Sequence, residues 1–285
     1  VLSPILFIFL YKYRGKKSNK AYFFSHHNKL EVIWTVVPTI ILTGFIIWGL
    51  KTWDKAMNIE VSPSTKIIEI YAQQFEWTAR YPGEDNLLGK ADFRFVNSDN
   101  KLGLVNNEYL KLAIKNKQNK YEELSKNPLE KDDYGRTNQE KMDVLSSHIN
   151  QLPGILNEVS TDVLLQSKDD IIISLPDAVH LVINEPVLLK FRSQDVIHSA
   201  FLPHFRVQMN CVPGMTTQFG FTPTKTTAEM KEQEGKDFEY VLLCNKICGA
   251  AHYNMQMNFI VETQAEYDIW IASKKTSSEK LLTQK

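Results

Sequence analysis

Close to the C-terminus the chain reads Cys244-Asn245-Lys246-Ile247-Cys248-Gly249-Ala250-Ala251-His252-Tyr253-Asn254-Met255. Two thiols, an imidazole and a thioether crowd into one short stretch. A second imidazole, His198, stands far upstream in Asp195-Val196-Ile197-His198-Ser199. Thiolate and thioether sulfur are soft donors that select copper over hard cations, and imidazole suits copper as well. Two Cys, two His and one Met are what a two-copper, thiolate-bridged electron-transfer centre needs. Other readings use fewer of these residues. A disulfide would employ the Cys pair alone, and zinc has no need of Met255. A mononuclear blue-copper site takes one Cys, two His and a weak axial Met. His198, Cys248, His252 and Met255 would satisfy it and leave Cys244 idle. Cys244 is therefore the residue that separates one copper from two.

This constellation resembles the CuA site of subunit II of haem-copper cytochrome oxidases. The family pattern is Cys, three residues, Cys, three residues, His, two residues, Met, preceded at a distance by His in an Asp-Val-x-His-Ser context; this chain matches every ligand position. The likeness runs from Val1 to about Gly83 and again from about Asp169 to Ala272. The resemblance implies a binuclear CuA centre of two copper ions, held by His198, Cys244, the backbone carbonyl of Lys246, Cys248, His252 and Met255. It implies no catalytic residue in this chain. Electrons would arrive from cytochrome c or a bound haem subunit and pass to haem in subunit I. Oxygen is reduced to water there, coupled to proton translocation. The implied partners are subunit I, other oxidase subunits, the electron donor and membrane lipid. An alternative from another class is a membrane-anchored copper chaperone of Sco type, with Cys, three residues, Cys and a distant His on a thioredoxin-like fold. In such proteins the His follows the Cys pair by a long interval. Here one His precedes the pair, the other follows by four, and no helix-opening Pro comes after the second Cys.

Two positions depart from the family. Where the family usually has a Trp that receives electrons, this chain has Phe75, with Trp77 two residues on. Phe75 and Trp77 are thus the candidates for electron uptake, against a plain core-packing role in a strand. Two residues after the first Cys the family usually has a Glu whose carboxylate also binds magnesium; here stands Lys246. The carbonyl role survives that exchange, and the magnesium role does not. Asp195 and Arg206 are candidates for orienting the ligands from outside. Glu31 matches a family Glu near a proton-uptake channel, and is equally a carboxylate favoured by the dipole at a helix start.

The rest of the chain must hold these residues. It has 285 residues with 33 basic and 33 acidic side chains, a balance that gives no reason to expect nucleic acid. Of three Cys, Cys211 is left over and reads as a small buried apolar residue. No Cys-x-x-Cys-His motif occurs, so no covalently attached c-type haem is expected in this chain. Val32 to Leu50 contains no charge and suits a membrane span, with Trp48 and Trp53 at aromatic-belt positions. Val1 to about Tyr13 is apolar but short, and reads as the second half of a first spanning helix whose start is missing. Lys12, Arg14, Lys16, Lys17, Lys20 and Lys29 crowd the connection, which places it on the cytoplasmic side. The expected topology is therefore a transmembrane hairpin in the inner (cytoplasmic) membrane. The copper domain would lie in the periplasm, or in the intermembrane space of a mitochondrion.

The expected fold class is membrane-anchored α+β. The hairpin covers residues 1–57, and an all-β, cupredoxin-like Greek-key domain begins at 58–100 and resumes at 169–272. A charged, partly helical insertion spans 101–168, and a polar tail 273–285. Strand character appears at Lys66 to Trp77, Asp170 to Ser174, Val187 to Arg192, Val196 to Phe201, Phe219 to Thr222, Tyr240 to Leu243 and Gln256 to Val261, punctuated by Pro and Gly. Within the insertion, Glu108 to Leu112 and Met142 to Ile149 show helical spacing. So long a charged excursion suits either solvent or a docking surface for a partner complex.

Overall fold

The computed structural model describes residues 2–15, 23, 25–57, 61–62, 65–97, 99–157 and 167–283. Lys16, Lys17 and Lys20 of the basic connection lie outside them. The chain divides into two units, Val1–Ala56 and Met57–Lys285.

In the first unit the uncharged run folds as one helix, α2, Asn28–Met57. At about 1.5 Å per residue a helix of 30 residues exceeds the ~30 Å hydrocarbon core. Ile40, Phe45 and Trp48 are all well exposed and no α2 residue is buried. A helix apolar all round with nothing covering it suits lipid. Pro38 sits inside it. Thr39 and Thr43 just beyond donate hydroxyls to the carbonyls of Thr35 (2.6 Å) and Thr39 (2.8 Å), which keeps these polar side chains paired within the helix. Glu31 lies in the first turn and accepts from the His27 amide (3.4 Å), the place a helix dipole favours. The first apolar segment forms α1, Leu2–Lys12, which is too short to span. Among the described residues, one helix is thus long enough to cross a bilayer, where the sequence implied two.

The second unit is a sandwich of two sheets, each with five strands among the described residues. The first contains β1 (Lys66–Gln73), β2 (Glu76–Tyr81), β3 (Ile171–Ser174), β5 (Val187–Ser193) and β8 (Thr217–Phe221), in the order β3-β2-β1-β5-β8. The second contains β4 (Val179–Val182), β6 (His198–Leu202), β7 (Val207–Cys211), β9 (Tyr240–Cys244) and β10 (Gln256–Glu262), in the order β4-β10-β9-β6-β7. β1 runs parallel to β5 and β10 parallel to β4, and the remaining pairs are antiparallel. This mixed crossing pattern, with a metal loop at the end of β9, is a cupredoxin-like Greek-key arrangement. Period-two alternation sends Met257, Phe259 and Val261 of β10 inward to meet Ile68, Ile70, Leu189 and Phe191 of the other sheet. The expected single run Lys66 to Trp77 is broken by a turn at Gln74–Phe75 into β1 and β2.

The residues between β2 and β3 are not a loose excursion. α3 (Asn107–Ser125) and α4 (Asn138–Asn157) contribute Tyr109, Ala113, Leu152 and Ile155 to a second core. Asn106 caps α3 by accepting from the Glu108 (3.0 Å) and Tyr109 (2.8 Å) amides. Phe95, Leu102, Leu104, Tyr109 and Leu152 pack with Tyr71 of β1, on the side of that strand turned away from Ile68 and Ile70. β1 is consequently buried on both faces.

Two short helices complete the sandwich: α5 (Thr227–Glu234) and α6 (Gln264–Ala272). The expected polar tail is corrected by the structure. Ser277–Thr283 forms α7, with Ser277 fully buried. Its amide donates to Asp170 O (2.8 Å) and its hydroxyl to Ser167 O (2.6 Å), while Lys280 Nζ donates to Ile172 O (2.6 Å). The Lys280 bond and a bridge between Ile171 and Thr276 cover the outer side of β3, an edge strand, while the Ser277 bonds hold the segment just before it.

Candidate metal centre

β6 and β9 are antiparallel neighbours, with Ala200 opposite Cys244. That pairing brings His198, at the start of β6, beside Cys244, at the end of β9. The β9–β10 connection then carries Lys246, Cys248 and His252, and Met255 leads into β10. The loop is closed by backbone bonds from Cys244 N to Met255 O (3.1 Å) and from Asn245 N to Ser199 O (2.9 Å). The two thiols are free, with sulfurs 3.8 Å apart, well beyond a disulfide bond.

The donor atoms form two similar halves. Cys244 Sγ lies 3.8 Å from His198 Nδ1 and 3.2 Å from the Lys246 carbonyl oxygen. Cys248 Sγ lies 3.6 Å from His252 Nδ1 and 3.9 Å from Met255 Sδ. Each thiol therefore neighbours one imidazole nitrogen and one weak donor. His198, Cys244 and Cys248 present ligand atoms within 4.8 Å of one another. The donor chemistry fits copper: soft sulfur and imidazole, with no carboxylate among them. Burial, reinforced by Cys244, pushes the metal-free Cys248 thiol up to about 11.

Asp195 orients His198. His198 Nε2 lies 2.8 Å from Asp195 Oδ1, so an Nε2–H donated there leaves Nδ1 free to bind metal. Burial pushes the Asp195 carboxyl up, but bonds from His198 and the Gln74 and Val196 amides outweigh it and hold the group below the usual range. Arg206, the other candidate, is exposed in a left-handed turn (φ 55°) and shows no contact with a ligand residue among the described bonds. Cys211 lies opposite His198 in the β6–β7 ladder and is fully buried; desolvation pushes its thiol up to about 12.

The two aromatic candidates part company. Phe75 is half-buried and its ring lies against Gly249, where an added Cβ would come within 2.8 Å of it. Trp77 is wholly buried. Its Nε1–H donates to Met255 O (3.3 Å) and its ring meets that of His198 edge-on (centroids 6.1 Å apart). A buried indole cannot face a docking protein, so Trp77 is an inner wall of the centre. Lys246 is exposed. Gln74, which no sequence signal singled out, donates from Nε2 to the Cys248 carbonyl.

Family models for the cytochrome c oxidase subunit II transmembrane domain and periplasmic domain match residues 1–51 and 159–263, together more than half the chain. The chain belongs to the cytochrome c oxidase subunit II family. Members of this family are membrane proteins with a periplasmic domain and form part of an oxidoreductase complex, and membership implies copper at the sulfur-rich centre. The alternative cytochrome c oxidase subunit 2 of Bradyrhizobium diazoefficiens is 26% identical over 94% of this chain and 71% of its own. Cytochrome c oxidase subunit 2 of Cereibacter sphaeroides is 20% identical over 95% of this chain and 69% of its own. A crystal structure of the periplasmic domain of subunit II of cytochrome oxidase from Bradyrhizobium japonicum superposes loosely, with TM-score 0.38 and 13% identity over 75% of this chain and 96% of that one. Nothing among these relatives supports the Sco-type chaperone, and the two-sheet sandwich is not a thioredoxin-like fold.

Proposed function

We propose that His198, Cys244, the Lys246 carbonyl, Cys248, His252 and Met255 would together hold two coppers, and that through this centre the chain takes up electrons for an aerobic terminal oxidase. The observation that carries this reading is the paired donor set. Both thiols stand between the two imidazoles, and each has its own weak donor, Lys246 O or Met255 Sδ. A single copper would leave half of that set without work. When bound, the copper pair supplies a one-electron carrier whose unpaired electron spreads over both metals. The chain's own part is to hold the donors still. Cys244 ends β9 and Met255 immediately precedes β10, the Cys244 N–Met255 O bond closes the loop at its neck, and Asp195 fixes the His198 ring.

The donor is read as cytochrome c or a bound haem subunit, and the acceptor as haem in subunit I. Phe75, beside the Cys248–Gly249 segment, is the residue proposed to meet the donor. The anchor is read as two spanning helices, with Glu31 at the inner side. Copper content and the electron spin resonance spectrum of the purified full chain test the core of this reading. Two coppers per chain with a seven-line hyperfine pattern are expected. One copper per chain with four lines would refute the shared pair.

A further inference from the structure

The β1–β2 turn reaches the metal centre from the first sheet, although none of the six donors lies on it. Gln74 in that turn makes two separate bonds. Its backbone N–H donates to Asp195 Oδ2 (2.8 Å), while the other oxygen of that carboxylate orients His198 (2.8 Å). Its side-chain Nε2 donates to the Cys248 carbonyl. The two partners lie 121 and 174 residues away along the chain. One residue therefore touches both arms of the ligand set, the His198 strand and the Cys248 loop.

We propose that Gln74 is a positioning residue, a latch that fixes the Cys248 loop relative to His198. The loop needs one. Between Asn245 and Met255 the described backbone bonds are short-range turns, such as His252 N to Gly249 O (3.2 Å) and Asn254 N to Ala251 O (3.1 Å). Such turns bend a segment without anchoring it to a sheet, and weakly anchored segments open easily. Gly249 allows the latch to close. Its φ is +145°, and the Gln74 amide and Phe75 ring occupy the space a Cβ would take, at 2.8 Å. The turn itself is rigid, because β1 is paired on both sides and Gln194 N donates to Ala72 O (3.0 Å) just before it. An electron carrier that must keep one geometry in two oxidation states gains from a stiff outer support of this kind.

The latch deepens the copper reading and rests on it for its consequence, and the test separates the two. Gln74→Met keeps length and volume but removes the donor. In the metal-free full chain in detergent, amide hydrogen exchange over residues 245–254 should quicken about tenfold or more, while β1, β5 and β9 keep native rates. With copper loaded, the variant should release it to a chelator about 10–100-fold faster and show a shifted potential and spin resonance spectrum. Native exchange over 245–254 overturns the latch. So does exchange that rises throughout the sandwich, which would make Gln74 a general fold residue. Native copper release and spectrum in a locally loosened variant overturn the positioning role. A native chain that takes up no copper, with the variant still locally loosened, overturns the copper reading and leaves the latch standing.

Discussion

The indole N–H of Trp77 donates to the carbonyl of Met255 across 3.3 Å, joining the first sheet to the last residue of the ligand loop. The same carbonyl also receives the Cys244 amide (3.1 Å), so it stays paired without the indole. What Trp77 alone supplies is volume beside His198 and a second tether on Met255. Trp77→Phe should therefore destabilise the domain by about 2–4 kcal/mol, mostly through the void it leaves. Denaturant midpoints measure the loss. The copper spectrum of the variant should change as well, since the His198 ring gains room; a native spectrum would show that the ring is held by Asp195 alone.

Cys244→Ser asks whether the second copper exists. The hydroxyl is a hard, weak donor in place of a soft bridge. The remaining His198, Cys248, His252 and Met255 suffice for one copper of blue type. Copper per chain should fall from two to one and the hyperfine pattern simplify to four lines. A variant that retains two coppers and its delocalised signal would show that Cys244 does not bridge.

A buried ionic cluster ties the segments that follow β2 and precede β3 to the sheet and makes stability depend on pH. Arg80 Nε meets Glu69 Oε2 (2.7 Å), and Arg80 Nη1 meets Asp170 Oδ2 (3.0 Å) and Gly89 O (2.7 Å). Burial pushes the Asp170 carboxyl up to about 7, against the pull of Arg80. Unfolded, the same carboxyl titrates near ~3.9. The folded chain thus holds this proton more tightly. The stabilisation from Asp170 is complete below about pH 4 and is lost as pH rises through about 7. Glu69 acts the other way. Burial pushes it up, but Arg80 and Arg192 outweigh that and hold it below the usual range, so its stabilisation is lost as pH falls below the usual carboxylate range. Asp170→Asn should flatten the decline in stability between about pH 4 and 7, read from urea midpoints at several pH values. An unchanged slope would assign the decline elsewhere.

The last helix guards an edge. Removing residues 276–285 takes away the Ser277 and Lys280 bonds to the Ser167, Asp170 and Ile172 carbonyls. The bared β3 should then pair with other chains, so self-association by light scattering should rise with concentration. Ser277→Ala is the milder form. It loses the hydroxyl bonds to Ser167 O (2.6 Å) and Lys168 O (3.1 Å), should cost about 1 kcal/mol, and should leave the chain unassociated. A truncated chain as stable and as dispersed as the native one would make α7 dispensable.

The proposed ligand set could be read from the amino-acid order because soft-metal chemistry admits few side chains, and four of them sit at short spacing on one loop. The membrane span was legible because lipid demands a long uncharged run, which Val32 to Leu50 provides. Strands such as β5, β9 and β10 announced themselves by apolar and β-branched content. β4 and β7 did not. Val179–Val182 is brief, and Val207–Cys211 alternates apolar and polar residues but over only five positions, too few to stand out beside the turn that precedes it. Packing decided the rest. Lys274 to Lys285 is polar by composition, yet Ser277 is buried, because what it binds are backbone carbonyls, and no side-chain pattern displays those. The insertion looked solvated because its apolar residues are spread thinly; only the fold gathers Phe95, Leu104, Tyr109 and Leu152 against Tyr71. For Trp77 the order left electron uptake and core packing both open, and it lies inside, since burial depends on which strands cover it. Gln74 carried no signal at all. Its partners are more than a hundred residues away, and a hydrogen bond of that range exists only once two sheets have closed on each other.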